Sequence, residues 1–198
     1  MIPPRPERFF SALRAGLFAP GLSQEEVDGC QAVLTACSEW PVSWLAYALA
    51  TTFHETAHTM RPVLEQGGEA YFARMYDPQG LRPTVAARLG NVCAGDGARF
   101  CGRGYVQLTG RANYVRAGIG EEPDRALEPG VAAEVLERGL REGWFTGRKL
   151  MDALPLGGRA TRAQFVAARR VVNGQDRAGL IADYALRFQD ALLAGGCA

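Results

Sequence analysis

The chain has 198 residues, 47% of them hydrophobic, with 22 basic side chains against 21 acidic ones and a net charge of +1. That length can bury one sizeable core, as a single domain or a domain with two lobes. The charges are mixed along the chain, so no basic tail or stripe points to nucleic acid, and no stretch has the length and apolarity of a membrane span.

The opening "MIPPRPERFF" carries prolines and charges where a signal peptide needs an unbroken apolar run, so a soluble chain without its own Sec-type export signal is expected. "PERFFSALRAGLF" puts Phe9, Leu13 and Leu17 on one helical face. "LSQEEVDGCQAVLTAC" opens on a capping box, Ser23 with Glu26, ahead of a stripe of Val27, Cys30, Val33 and Leu34. The two are expected to form an N-terminal helical hairpin over about 5–39. Pro41 suits the first turn of a third helix through "VSWLAYALATTFHETAHTM". That helix is predicted to stop near Arg61, because Pro62 disfavours helical geometry in the residue before it.

From about 65 to 113 the chain is rich in glycine and aromatics and has no sustained period. A loop-rich smaller lobe is predicted there, its one helical hint being "RPTVAARLG", with Val85, Leu89 and a stop at Gly90. Helices return over about 126–194. "GVAAEVLERGLREGWF" is the first. "TRAQFVAARRVVNG" follows, with a capping box of Thr161 and Gln164 and a stop at Gly174. A last helix from about Arg177 to Leu193 is apolar at Leu180, Ile181, Tyr184, Phe188 and Leu192. The predicted class is mostly α, without β-α alternation or an internal repeat.

Five cysteines leave at least one unpaired within the chain. Cys30 and Cys37 are roughly 10 Å apart along a helix, too far to bridge. Cys93 and Cys101 bracket "CAGDGARFC" and could close in an oxidising compartment, or remain two free thiols.

The stretch "FHETAH" carries His-Glu-x-x-His. In a helix His54 and His58 share a face at i and i+4, and Glu55 could activate a zinc-bound water. A catalytic zinc takes three protein ligands, however, and these are the only two histidines, so the third would be a carboxylate such as Glu65, Glu69 or Asp77. Arg61 and Leu64 stand where the metzincin extension needs glycine and histidine.

Glu55 also reads as an acid for sugar chemistry. Glycoside hydrolysis uses two carboxyl groups, one protonated to assist the leaving oxygen and one ionised. Beside Phe53 and Ala57, Glu55 is expected to sit in an apolar setting that holds its proton; the plainer reading is a structural glutamate paired with an arginine. Glu65 is the candidate second carboxylate, brought back by the break at Pro62, with Glu69 behind it.

"CGRGYVQLTGRANY", residues 101–114, together with "FHETA" and "ARRVVNG", resembles the chitinase-like glycoside hydrolase family 19, and within it the bacteriophage endolysin branch that degrades peptidoglycan. The resemblance runs from about Phe9 to Phe188. It implies a lysozyme-like two-lobed helical domain around a groove, with Glu55 as general acid and Glu65 as base or stabiliser. It further implies Thr109 as a positioner of the attacking water. His54, Thr56, Tyr105, Gln107, Asn113, Tyr114 and Asn173 are the implied substrate-binding residues, their amides and hydroxyls bonding sugar groups and the tyrosine rings lying against a sugar face. Gln175 departs from the plant pattern, which has a second glycine after Asn-Gly, and the disulfide framework of secreted plant enzymes is lacking.

The expected activity is muramidase-type hydrolysis of β-1,4 bonds in peptidoglycan glycan strands, by a monomer needing no metal or cofactor and no membrane insertion. Such an enzyme would be made in the host cytoplasm and reach the wall once the membrane is permeabilised. A chitinase, a zinc peptidase cutting wall peptides and a glycan-binding module without turnover are the rivals.

Overall fold

The structure, a computed structural model, describes residues 2–198. The chain divides into two compact units, one of Met1–Arg61 with Leu136–Ala198 and the other of Pro62–Val135.

The first unit is helical. It contains α1 (Pro6–Ala15), α2 (Gln24–Ala36) and α3 (Val42–Glu55). From Val42 to Phe53 every residue of α3 is buried, which a helix apolar on all sides requires. Downstream the chain forms α9 (Arg162–Ala168), a 3₁₀ turn (Arg169–Val171) and α10 (Ala178–Ala194). α10 packs along α3 and also receives α1 and α9. Phe18 and Phe53 meet edge to face at 5.0 Å, with Phe188 closing the cluster. The expected N-terminal hairpin is thus divided between partners, α1 lying mainly on α10 and α2 on α3. Both capping boxes form, Ser23 with Glu26 and Thr161 with Gln164. Leu180, assigned to the apolar face of α10, is instead 38% exposed.

α3 ends at Glu55, well short of Arg61. The Thr56 hydroxyl donates to the Thr52 carbonyl at 2.8 Å and accepts from the Met60 amide at 3.0 Å. Between them Ala57, His58 and Met60 adopt left-handed backbone, φ 51°, 74° and 55°. Met60 is fully buried, and Gly29 of α2 makes room for it: a Cβ at Gly29 would lie 2.0 Å from the Met60 carbonyl oxygen. Local bonding and the burial of Met60 therefore end the helix before the proline does.

The second unit contains β1 (Val63–Leu64), α4 (Glu69–Tyr76), α5 (Pro83–Leu89), α6 (Asp96–Arg99), β2 (Arg103–Gly104) and α7 (Arg111–Ala117). A 3₁₀ turn (Pro123–Leu127) follows, and α8 (Pro129–Glu142) contains the boundary between the units. β1 and β2 pair antiparallel, Val63 with Gly104 and Leu64 with Arg103. α4 packs on α6 and α5, and α5 on α7. The stretch expected as loops over 65–113 thus carries short helices, and the unit extends to Val135. Carboxylates do the work of longer elements here: Asp77 accepts from the amides of Gly95 and Gly97, and Asp96 from those of Val92 and Cys93. The nearly buried Arg103 donates to the carbonyls of Arg99 and Cys101, to the Tyr114 hydroxyl and to Asp124.

All five cysteines are free thiols, Cys93 and Cys101 included. Among the described residues no helix is long and apolar enough to cross a membrane.

Candidate active site

In the first unit the candidate chemistry gathers at the end of α3. Glu55 is the last residue of that helix, its side chain 22% exposed. A carboxylate there faces the negative end of the helix dipole, a position that costs stability unless a cation offsets it. The cation is present: Arg169 Nη1 donates to Glu55 Oε1 at 2.8 Å. Arg169 is only 2% exposed, and its Nε donates to the Asp176 carbonyl at 3.0 Å, tying the segment after the 3₁₀ turn to the same pair. The purely apolar setting expected for Glu55 is therefore replaced by an ion pair on one carboxyl oxygen. Above it, burial raises the Tyr47 phenol to about 12.

His54 is half-buried, and burial pushes its imidazole below the ordinary value, against the pull of Glu55. His58 lies beyond the helix end. Its ring stacks on Phe53 at 4.2 Å between centroids, and its Nε2 stands 3.1 Å from the Tyr184 hydroxyl. The shared helical face that the zinc reading required does not exist, because α3 stops before His58. Nor does any group of three His, Cys, Asp or Glu side chains come together as metal ligands would among the described residues.

In the second unit Glu65 follows β1 directly, its amide donating to the Gly102 carbonyl at 2.8 Å. Its Oε2 accepts from the Gly102 amide at 2.9 Å and its Oε1 from the Tyr76 hydroxyl at 2.8 Å. Gly102 leaves room for both side chains: a Cβ there would lie 3.0 Å from Glu65 Oε2 and 2.7 Å from Gln107 Oε1 and would displace them. Burial and the bond to Glu65 both push the Tyr76 phenol up.

A short relay leads on from the same segment. Gln107, in left-handed backbone at φ 54°, donates from Nε2 to the Val63 carbonyl at 3.0 Å. Thr109 Oγ1 donates to the Gln107 carbonyl at 2.9 Å, and Asn113 Nδ2 to the Thr109 carbonyl at 2.7 Å. All three are half-buried. Non-glycine residues held at positive φ cluster at functional sites, where surrounding contacts outweigh a strain of about 1–3 kcal/mol each.

No family model matches the chain, and no curated protein matches it by sequence. Solved structures do match. Chitinase C from Streptomyces griseus is 18% identical with a TM-score of 0.59 over 96% of this chain and 75% of its own. A glutamate-to-glutamine mutant of chitinase C gives 16% and 0.56 over 94% and 75%. A bacterial family 19 chitinase gives 18% and 0.53 over 94% of this chain and 93% of its own. The chain shares the fold of family 19 chitinases.

Within that fold the remaining residues singled out from the sequence separate into two groups. Glu65, Gln107, Thr109 and Asn113 are brought together in the second unit, as described above. Tyr105 and Tyr114 are both fully buried, so neither offers a ring face to a sugar. The Tyr114 hydroxyl donates to the Cys101 carbonyl at 2.7 Å and receives Arg103 at 3.2 Å, and burial raises it to about 12. Thr56, 1% exposed, spends its hydroxyl on the turn after α3 rather than on a ligand. Asn173 is exposed in the turn after Val171, its amide donating to the Arg169 carbonyl at 2.9 Å.

Sequence reasoning missed Arg169 and Tyr76. Arg169 lies inside "ARRVVNG", but nothing in two adjacent arginines tells which one is buried. Tyr76 lies eleven residues from Glu65 in a segment without periodicity.

Proposed function

We propose that the protein is a glycoside hydrolase that cleaves the β-1,4 bond between N-acetylmuramic acid and N-acetylglucosamine in bacterial peptidoglycan, with Glu55 as general acid. The observation that carries the reading is the Glu55–Arg169 pair at the end of α3, in a fold shared with family 19 chitinases. With Oε1 held by the guanidinium, Oε2 is the oxygen left to carry a proton. That proton passes to the glycosidic oxygen as its bond to the anomeric carbon breaks, while a water adds to that carbon and gives up its own proton to a base.

Glu65 is the proposed base. An ionised carboxylate has about four acceptor sites, and Tyr76 and Gly102 occupy two of those on Glu65, so it is oriented yet still able to accept. The Thr109 hydroxyl donates a hydrogen bond to the Gln107 carbonyl, which leaves its oxygen lone pairs as acceptors for the attacking water. No metal or cofactor enters this scheme.

The peptidoglycan substrate is supported by the resemblance of residues 101–114, "FHETA" and "ARRVVNG" to phage endolysins. The same resemblance supports a monomer made in a host cell and acting on its wall. Chitin is the second reading, favoured because each structural neighbour is a chitinase.

Digestion of purified peptidoglycan and of chitin oligomers, with and without EDTA, tests both. Borohydride reduction and mass spectrometry should find new reducing N-acetylmuramic acid ends that survive chelation. Cleavage of chitin oligomers alone would transfer the assignment to the second reading, and new free amino groups that vanish with EDTA would refute both.

A further inference from the structure

Arg148, Lys149 and Arg170 line one cavity of about 330 Å³ in the first unit, with Asp152, Ala163, Gln164, Ala167 and others forming its walls. All three cations are exposed, and among the described residues none has an ion-pair or side-chain hydrogen-bond partner. Other exposed arginines of the same unit are matched by acids, Arg162 to Asp183 and Arg141 to Glu137 among them. The one acid in the lining, Asp152, accepts from the Lys149 amide at 2.9 Å through Oδ2 and offsets one of the three positive charges, which leaves the cations in excess.

The loop that carries these charges is held rather than loose. Thr146 Oγ1 donates to the carbonyls of Arg170 at 2.7 Å and Val171 at 3.0 Å, joining the Arg148–Lys149 loop to the turn that bears Arg170. Gly143 and Gly147, at φ 79° and 80°, make the tight bend, and Leu150, fully buried, anchors its far end. Bringing three like charges into one concavity costs energy through their mutual repulsion, and a multivalent anion removes that cost. The chain as a whole is nearly neutral, with a net charge of +1, and so exerts little general pull on anions.

We propose that this cavity binds a phosphate-type oxyanion, free or on a lipid headgroup, through Arg148, Lys149 and Arg170. Two guanidiniums and an ammonium supply donors for three oxygens of a tetrahedral anion. None of the proposed hydrolytic residues lines this cavity, and the proposal does not depend on that reading.

The test measures the thermal midpoint of the full chain against inorganic phosphate, with sodium chloride used to hold ionic strength constant. It is paired with sedimentation on phosphatidylglycerol–phosphatidylcholine vesicles and on phosphatidylcholine vesicles alone. A ligand that binds only the folded chain raises the midpoint saturably. The Arg148→Ala/Lys149→Ala/Arg170→Ala variant should lose that rise, and Arg170→Gln alone should weaken binding by roughly tenfold; Arg170→Gln carries the test if the triple variant does not fold.

A saturable rise with phosphate identifies the free anion. Vesicle binding that needs phosphatidylglycerol and is lost in the variants identifies the headgroup. A midpoint that tracks ionic strength only, or responses unchanged in the variants, would overturn the proposal.

Discussion

Glu55 Oε1 accepts from Arg169 Nη1 at 2.8 Å, joining the last residue of α3 to the first residue of the 3₁₀ turn after α9. The pair links residues 114 positions apart in the chain, and the arginine is the more buried of the two. Its loss should be felt in both stability and chemistry.

Glu55→Gln keeps an oxygen that can accept from Arg169 but cannot give up a proton. Turnover should fall by roughly 10²–10⁴-fold, the usual contribution of a general acid, while circular dichroism stays native. Reducing-end assays on purified glycan would measure it, and near-normal turnover would remove Glu55 from the mechanism.

Arg169→Lys should be costly although the charge is kept. An ammonium cannot reproduce two donors diverging toward Glu55 and the Asp176 carbonyl, because the guanidinium fork is what spans them. The loss expected is about 1–3 kcal/mol per hydrogen bond left unmade, read by denaturant unfolding. Turnover should fall with it, as Glu55 loses its orientation.

Tyr76→Phe should separate orientation from chemistry at the second carboxylate. It removes the hydroxyl on Glu65 Oε1 while leaving the Gly102 amide on Oε2. Stability should drop by about 1 kcal/mol, with turnover reduced but not abolished. Glu65→Gln, which removes the proposed base, should be far worse; equal effects from both variants would argue that Glu65 is structural.

Gly29→Ala sets two effects against each other. Alanine favours a helix over glycine by about 1 kcal/mol, yet the new methyl would sit 2.0 Å from the Met60 carbonyl oxygen. Overpacking of a closed site typically costs about 1–3 kcal/mol, so the clash should win and the melting temperature should fall. The displaced turn begins directly after Glu55, and turnover should decline too. Gly130→Ala, with open space around it, is the control and should be neutral or slightly stabilising.

Alkaline pH should destabilise the fold through its buried phenols. Burial raises Tyr47 and Tyr114 from 10.0 to about 12. A proton held more tightly in the folded state gives stability that is fully present below about pH 10 and is lost as pH rises toward about 12. Unfolding free energy followed across that range, alongside tyrosinate absorbance, should show these two phenols ionising late or only on unfolding. Tyr114→Phe should shrink the pH-dependent part even as it lowers stability at neutral pH.

The sequence by itself determined the helical class, both capping boxes, the core faces of α1 and α2 and that of α10 apart from Leu180, because these are local patterns repeated over several turns. It also pointed to Glu55 and Glu65, through a short motif and a longer resemblance. Tertiary structure decided the rest. α4, α6 and α7 are too short for a period to show, and they are stabilised by carboxylates and glycines brought in from elsewhere in the chain. The end of α3 was set by Thr56, by the burial of Met60 and by the gap at Gly29, not by Pro62. Nothing local separates Tyr114, a core residue bonded to Arg103, from a sugar-stacking ring, or Arg169, buried beside Glu55, from its exposed neighbour Arg170. Burial and charge pairing depend on which distant segments meet, and a one-dimensional pattern does not carry that information.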